Sequence, residues 1–185
     1  EGKFSKGFNI KEHFDKVGVI NQTTMLASET QEIAEYFKQL MIQKFSEEEI
    51  KNHFADTRDT LCYATKENQD ATFGLLETNS DLAIVVGGYN SSNTSHLVEL
   101  CETKFPTYFI SSAEEIENEN RIKHFNYHEK KILVTEKYLP QKEKIDIVLT
   151  SGASCPDAML EAVLIKINSF FQSVYDVENV LKSLY

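Results

Sequence analysis

A chain of 185 residues with 41% hydrophobic content can bury a real core as one large or two small domains. A net charge of −10 and a pI near 5.0 argue against a nucleic-acid or anionic-membrane surface, because a phosphate backbone demands clustered Lys and Arg. Apolar runs such as Leu82 to Val86 fall far short of the ~20 residues that a membrane span needs. Glu1-Gly2-Lys3-Phe4 has no signal-peptide pattern, so a cytoplasmic location is the default.

Cys62, Cys101 and Cys155 are widely spaced, with no C-x-x-C and no Cys/His pairing of zinc-finger spacing, which speaks against a disulfide framework. The missing initiator methionine and abrupt charged start suggest a processed product or a piece of something longer.

The first sixteen residues are polar, with Phe4, Phe8 and Phe14 scattered through them at no clear period. Val17 to Ile20 reads as a short strand, Asn21 to Thr24 as a polar loop, and Ser28 with Gln31 as a capping box. A helix from about Glu29 to Lys44 follows, with Ile33, Phe37, Leu40 and Met41 on one face. The acidic stretch Ser46 to Asn52 suits another short helix. Leu61-Cys62-Tyr63 is a strand candidate, leading through Ala64-Thr65 into a helix that ends at Leu76 with Ala71, Leu75 and Leu76 inward.

Next comes the stretch around which the rest is organised. The β-branched run Leu82–Val86 precedes Gly87-Gly88-Tyr89-Asn90-Ser91-Ser92-Asn93-Thr94 and then an amphipathic helix burying Leu97, Leu100 and Cys101. Thr107 to Ile110 is the following strand, and Ser111-Ser112 caps a short acidic helix. Asn118 to Lys144, charged and free of glycine, reads as a surface excursion with an edge strand at Ile132 to Thr135. Ile145 to Leu149 is the last strand. Thr150 to Cys155 forms its loop, and Pro156-Asp157 opens a helix through Phe171 with Met159, Ala162, Val163 and Ile167 inward. Val174 to Tyr185 is a weakly amphipathic tail.

Strand, hydroxyl- and amide-rich loop, and helix thus recur four times, and such alternation implies a parallel sheet with right-handed crossovers. Its polar loops gather beyond the carboxyl ends of the strands, where open sheets bind ligands. The loop after Val86 is suited to an anion. Gly87 and Gly88 permit positive φ and close approach, Asn93 or Thr94 can cap the helix, and the first helical N–H groups with Ser91, Ser92 and Asn93 offer donors at the positive end of the dipole. An ordinary turn with a good N-cap is the alternative.

Asn21-Gln22-Thr23-Thr24, Cys62-Tyr63-Ala64-Thr65 with Gln69, Val85-Val86-Gly87-Gly88 leading to Asn90-Ser91-Ser92-Asn93, and Thr150-Ser151-Gly152-Ala153-Ser154 with Pro156-Asp157 occur in that order. Together, from about Val17 to Phe171, they resemble the LytB family of 4-hydroxy-3-methylbut-2-enyl diphosphate reductases, which ends the non-mevalonate route to isoprenoids. The long Met25–His53 and Asn118–Lys144 segments look closest to its plant and cyanobacterial branch. The resemblance implies an α/β fold: a parallel sheet with helices on both faces, one complete lobe plus a partial second lobe of a three-lobed fold. Residues 1–60 would be a remnant of the middle lobe, 61–172 the C-terminal lobe and 173–185 a helical tail.

The resemblance also implies a central 4Fe-4S cluster whose free iron takes the allylic hydroxyl, with two electrons and protons removing it as water. A ferredoxin- or flavodoxin-type donor would supply the electrons, and the products are isopentenyl and dimethylallyl diphosphate. By position, Cys62 matches a cluster cysteine, Ser91, Ser92, Asn93 and Ser154 match diphosphate ligands, and Thr23 matches the hydroxyl near the reacting end. The family's other two cluster cysteines, its two substrate-binding histidines and its Thr-x-Glu glutamate precede the Asn-Gln-Thr-Thr stretch and have no counterpart here. His13, His53, His96, His124 and His128 match no family ligand, Cys101 reads as core and Cys155 as incidental.

Two expectations of function result. One is the C-terminal part of the reductase, inactive alone; the other is a stand-alone diphosphate-binding module without redox chemistry. Neither takes nucleic acid or membrane as partner. The first sixty residues, with one strand and one amphipathic helix, would either pack on the later lobe or pair with their copy as a homodimer.

Overall fold

The computed structural model describes residues 3–22, 24–55, 57 and 62–171. The chain separates into two compact units, Glu1–Lys66 and Glu67–Tyr185. The expected tail from Val174 onward lies outside the described residues.

In the first unit a short helix α1 (Ile10–His13) is capped by Asn9, whose side chain accepts from the Lys11 N–H. Strand β1 (Val17–Gly18) is shorter than expected and is not an open edge without partners. It pairs in parallel with β2 (Phe54–Ala55), reached through α2 (Ala27–Phe45) and α3 (Ile50–His53). The Ser28 capping box does not form. The N-cap is Leu26, without a side-chain hydrogen bond, because the helix begins two residues earlier than the periodicity suggested. On α2 Met41 is buried, and Phe37 packs at 5.8 Å from Phe14, but Ile33 stands 44% exposed. Phe45 stacks on His53 with centroids 3.6 Å apart, while His53 Nδ1 lies 2.7 Å from the Asp15 carbonyl.

Helix α4 (Tyr63–Leu76) spans the division between the units. Of the strand expected at Leu61 to Tyr63, Leu61 lies outside the described residues and the other two residues form none. Cys62 precedes the helix and Tyr63 begins it, since the helix formers Ala64, Lys66 and Glu67 carry the helix up to a stretch too short to hold a ladder. Of the residues expected inward, Leu75 and Leu76 pack against the core but Ala71 is exposed, and the rest of the inner face is polar, with Gln69 and Thr72 buried.

The second unit is built on a parallel sheet of β3 (Leu82–Val86), β4 (Thr107–Ile110) and β8 (Ile147–Ser151) in the order β4-β3-β8, with α5 (Ser92–Glu102) and α6 (Asp157–Asn168) following β3 and β8. Every β3 side chain is buried, as a central strand covered on both faces requires. Leu82, Ile84 and Val86 join Val163 and Ile167 of α6 on one face, and Ala83 and Val85 join Leu97, Val98 and Cys101 of α5 on the other. Each of the larger side chains contributes about 1.5–3 kcal/mol by leaving water. Helices therefore lie on both faces of a parallel sheet, as expected. On α6 Ala162 is exposed rather than inward, and Leu160 packs in its place.

The segment expected to be a surface excursion is a second sheet, whose edge strand covers the Ile132 to Thr135 stretch expected as one. A 3-10 turn at Ala113–Glu115 leads to the antiparallel strands β5 (Ile116–Asn118), β6 (Arg121–Asn126) and β7 (Lys131–Glu136). Its turns use no glycine. Asn118 Oδ1 accepts from the Asn120 N–H at 2.9 Å, Asn126 Oδ1 accepts from the Glu129 N–H at 2.8 Å, and Lys130 takes φ of 53°. Tyr108 of β4 joins the sheets edge-on to His124 at 5.1 Å and Tyr138 at 5.7 Å.

Candidate functional site

β3 and β8 end side by side. The Gly152 N–H donates to the Val86 carbonyl at 3.1 Å, and the Gly87 N–H to Ile110 at 3.0 Å. Both glycines face the Thr94 side chain. A Cβ on Gly87 would lie 2.7 Å from Thr94 Oγ1, and one on Gly152 would lie 3.1 Å from Thr94 Cβ and closer still to its hydroxyl. Positive φ, expected at Gly87 and Gly88, occurs at neither; among the described glycines it belongs to Gly7 alone. Glycine at 87 and 152 serves close approach, and Gly88 faces open space.

Thr94 thus draws the start of α5 down onto the carboxyl edge of the sheet. Ser91, rather than Asn93 or Thr94, is the N-cap: its Oγ accepts from the Thr94 N–H at 3.3 Å, and its carbonyl accepts from the Ser95 N–H at 3.0 Å. The N–H groups of Ser92 and Asn93 have no carbonyl of their own helix to bond. Ser92 is exposed. Asn93 is 4% exposed, and neither its amide oxygen nor its amide nitrogen meets a partner; the Thr94 hydroxyl is equally buried and unpartnered. An unsatisfied buried polar group costs about 1–3 kcal/mol, so this amide at the positive end of a helix marks a place for a polar ligand.

The loop after β8 lies beside it. Ser154 is exposed, the Cys155 N–H donates to the Gly152 carbonyl at 2.8 Å, and Pro156 caps α6 without a side-chain hydrogen bond. Helix α4 braces this strand end: Asn68 Nδ2 donates to the Ser151 carbonyl at 3.0 Å, and the Thr72 and Thr150 hydroxyls are 3.1 Å apart. These polar contacts explain the polar inner face of α4. Neither loop, 87–94 nor 151–156, carries a lysine or arginine, so an anion there would be held by dipoles and neutral donors.

Of the residues singled out from the sequence, Ser91, Ser92, Asn93 and Ser154 lie on two adjacent loops of this edge. Thr23 lies outside the described residues. Cys62 is exposed just before α4 and belongs to the first unit. Asn68 escaped the reading, and Thr94 was expected only as a possible helix cap. The only available signal was that both belong to runs of hydroxyl and amide residues.

A cubane cluster needs several thiolates, and the described residues contain no group of three or more His, Cys, Asp or Glu placed to hold a metal. Cys101 is buried, with its thiol pushed up to about 12 by burial, and burial also raises Cys155. That leaves Cys62 as the one exposed thiol. The residues of this chain do not by themselves fit a 4Fe-4S centre. The histidines are engaged elsewhere: His124 Nε2 sits 2.9 Å from Thr135 Oγ1, and His128 Nε2 sits 2.7 Å from Glu102. No described helix is long and apolar enough to cross a membrane.

The comparisons agree with the resemblance. The family model described as LytB protein matches residues 4–168. The chain is 44% identical over 165 residues to the 4-hydroxy-3-methylbut-2-enyl diphosphate reductase of Picosynechococcus sp., covering 89% of this chain and 40% of the relative. With the same enzyme of Thermosynechococcus vestitus it shares 45% identity over 164 residues, covering 88% and 40%. Both are cyanobacterial, in line with the expected branch. The chain therefore spans about 40% of the length of the curated relatives it matches. In fold it is similar to the E-1-hydroxy-2-methyl-but-2-enyl-4-diphosphate reductase from Plasmodium falciparum, with a TM-score of 0.50 at 21% identity, covering 91% of this chain and 49% of that one. A family match over nine-tenths of the sequence leaves one conclusion: the chain belongs to the LytB family.

Proposed function

We propose that this chain is the diphosphate-holding part of a 4-hydroxy-3-methylbut-2-enyl diphosphate reductase, with Ser91, Ser92, Asn93 and Ser154 as ligands of the substrate's diphosphate. The observation that carries this reading is the buried, unpartnered Asn93 amide in the first turn of α5, next to N–H groups with no helical acceptor. A diphosphate would accept from the Asn93 Nδ2, from the N–H groups of Ser92 and Asn93, and from the serine hydroxyls.

Two roles rest on the resemblance: Thr23 as the hydroxyl near the reacting end of the substrate, and Cys62 as a cluster thiolate. A 4Fe-4S cluster belongs to the complete reductase in this reading. With one exposed thiol the 185-residue chain does not assemble it alone and does not turn over. Electrons would come from a ferredoxin- or flavodoxin-type donor, and the compartment would be the cytoplasm. The presence of only one exposed thiol also supports a second reading, a diphosphate-binding module without redox activity. Exposed Ile20, Ile33 and Tyr36 in the first unit suit self-association as a homodimer, which light scattering across a dilution series would detect.

The test compares two ligands. 4-Hydroxy-3-methylbut-2-enyl diphosphate should bind the chain, and the corresponding diol without phosphates should not. Equal binding of the two, or binding of neither, would overturn the proposal.

A further inference from the structure

Tyr89 leaves the anion loop between Gly88 and Asn90 and reaches toward β4 and the antiparallel sheet. Its ring stacks on Phe125 of β6 at 4.6 Å and meets Phe109 of β4 edge-on at 5.1 Å. Its hydroxyl donates to the Glu115 carboxylate, which also accepts from the Ser111 N–H at 2.6 Å and the Ser111 hydroxyl at 3.3 Å. Burial, and then Glu115, push the Tyr89 phenol up to about 12, so it remains a donor at any physiological pH. Three elements from different parts of the sequence thus converge on one side chain of the loop: β4, the 3-10 turn and the antiparallel sheet. The loop is otherwise held at its start by the Gly87 N–H on Ile110 and at its end by Thr94 against the two glycines.

We propose that Tyr89 and Glu115 are positioning residues of the anion site, and that through them the antiparallel sheet sets the conformation in which Ser91, Ser92 and Asn93 are presented. The proposal rests on the reading of that loop as an anion site. Tyr89 does not touch the anion; it fixes the backbone from which Ser91 starts, whose N–H donates to the Gly88 carbonyl at 2.9 Å. A hydrogen bond to a charged, part-buried acceptor is among the stronger ones, so its loss lets the loop sample other conformations and dilutes the competent one.

Pyrophosphate titration by calorimetry, in the cold and well below the melting transition, tests this on the full chain. Tyr89→Phe and Glu115→Gln should each weaken affinity roughly threefold or more, a part of what one charge-assisted hydrogen bond contributes, since the contact acts through the loop. The double variant should lose no more than the larger single loss, because both substitutions act on one contact, Tyr89→Phe removing its donor and Glu115→Gln the charge of its acceptor. Val163→Ala, a core truncation on α6 away from this network, should lower the melting temperature and leave affinity unchanged. Should Tyr89→Phe fold poorly, Glu115→Gln reads the same contact from the other side. Wild-type affinity in both variants, or the same loss in Val163→Ala, would overturn the proposal while leaving the anion reading intact. A wild-type chain that does not bind pyrophosphate would overturn both.

Discussion

Gly152 and Thr94 lie so close that a Cβ on the glycine would stand 3.1 Å from the threonine Cβ. Gly152 directly follows β8 and Thr94 lies in the first turn of α5, the helix after β3, so their contact closes the two candidate ligand loops together. Gly152→Ala should destabilise the chain by about 1–3 kcal/mol, the usual cost of overpacking, and weaken pyrophosphate binding. Gly88→Ala, in open space, should cost far less. Chemical denaturation of the two variants, with Gly152→Ala/Thr94→Ala recovering part of the loss, checks the relationship.

Asn93 should show the opposite balance. Its buried amide has no partner in the free chain, so Asn93→Leu removes an unsatisfied group and should raise the stability of the free chain while abolishing anion affinity. Thermal melts with and without pyrophosphate would read both effects: a higher melting point without the anion and no further rise with it.

Much of this site was legible in the sequence, because its signals are local. Leu82–Val86 is a continuous apolar run that only a doubly covered strand explains, and the glycine and hydroxyl cluster after it sits where a strand turns into a helix. Thr94 as the wedge between Gly87 and Gly152 was not legible, since the second glycine is distant in the chain. Nor, beyond its edge strand at Ile132 to Thr135, was the antiparallel sheet: its turns are made by Asn118, Asn126 and a left-handed Lys130, not by the glycines that usually announce a hairpin. The polar inner face of α4 misled for a related reason. Thr72 and Asn68 are inward because they bond the end of β8, a partner no helical period reveals.

His124 gives the fold a pH dependence. Burial lowers its pKa from the ordinary 6.5, with Glu115 opposing weakly, and its ring packs on Tyr108 and meets Thr135. The unfolded chain then binds the proton more readily, so this contribution to stability is whole above about pH 6.5 and is lost as pH falls through the folded value. His128 runs the other way: Glu102 raises its pKa, so its contribution is whole below 6.5 and fades as pH rises. Denaturation midpoints of wild type and His124→Asn between pH 5 and 7.5 should diverge toward the neutral end, where only the wild type keeps the buried imidazole contacts. Parallel curves would assign no role to His124.

Anaerobic reconstitution with iron and sulfide should leave the chain without a stable, stoichiometric 4Fe-4S centre, because a cubane needs several thiolates, Cys101 is buried on α5 and burial raises the Cys155 thiol above its ordinary value. Iron analysis and the visible absorption spectrum of wild type and Cys62→Ser decide it. A Cys62-dependent band with about four irons per chain would contradict the expectation.

The central claim is that the edge formed by α5 and the loop after β8 holds a diphosphate. Titration of pyrophosphate into wild type and a Ser91→Ala/Asn93→Ala double variant tests it most directly. The variant should bind at least tenfold more weakly, about 1 kcal/mol or more for each hydrogen bond lost to a charged group. Equal affinities would contradict the account.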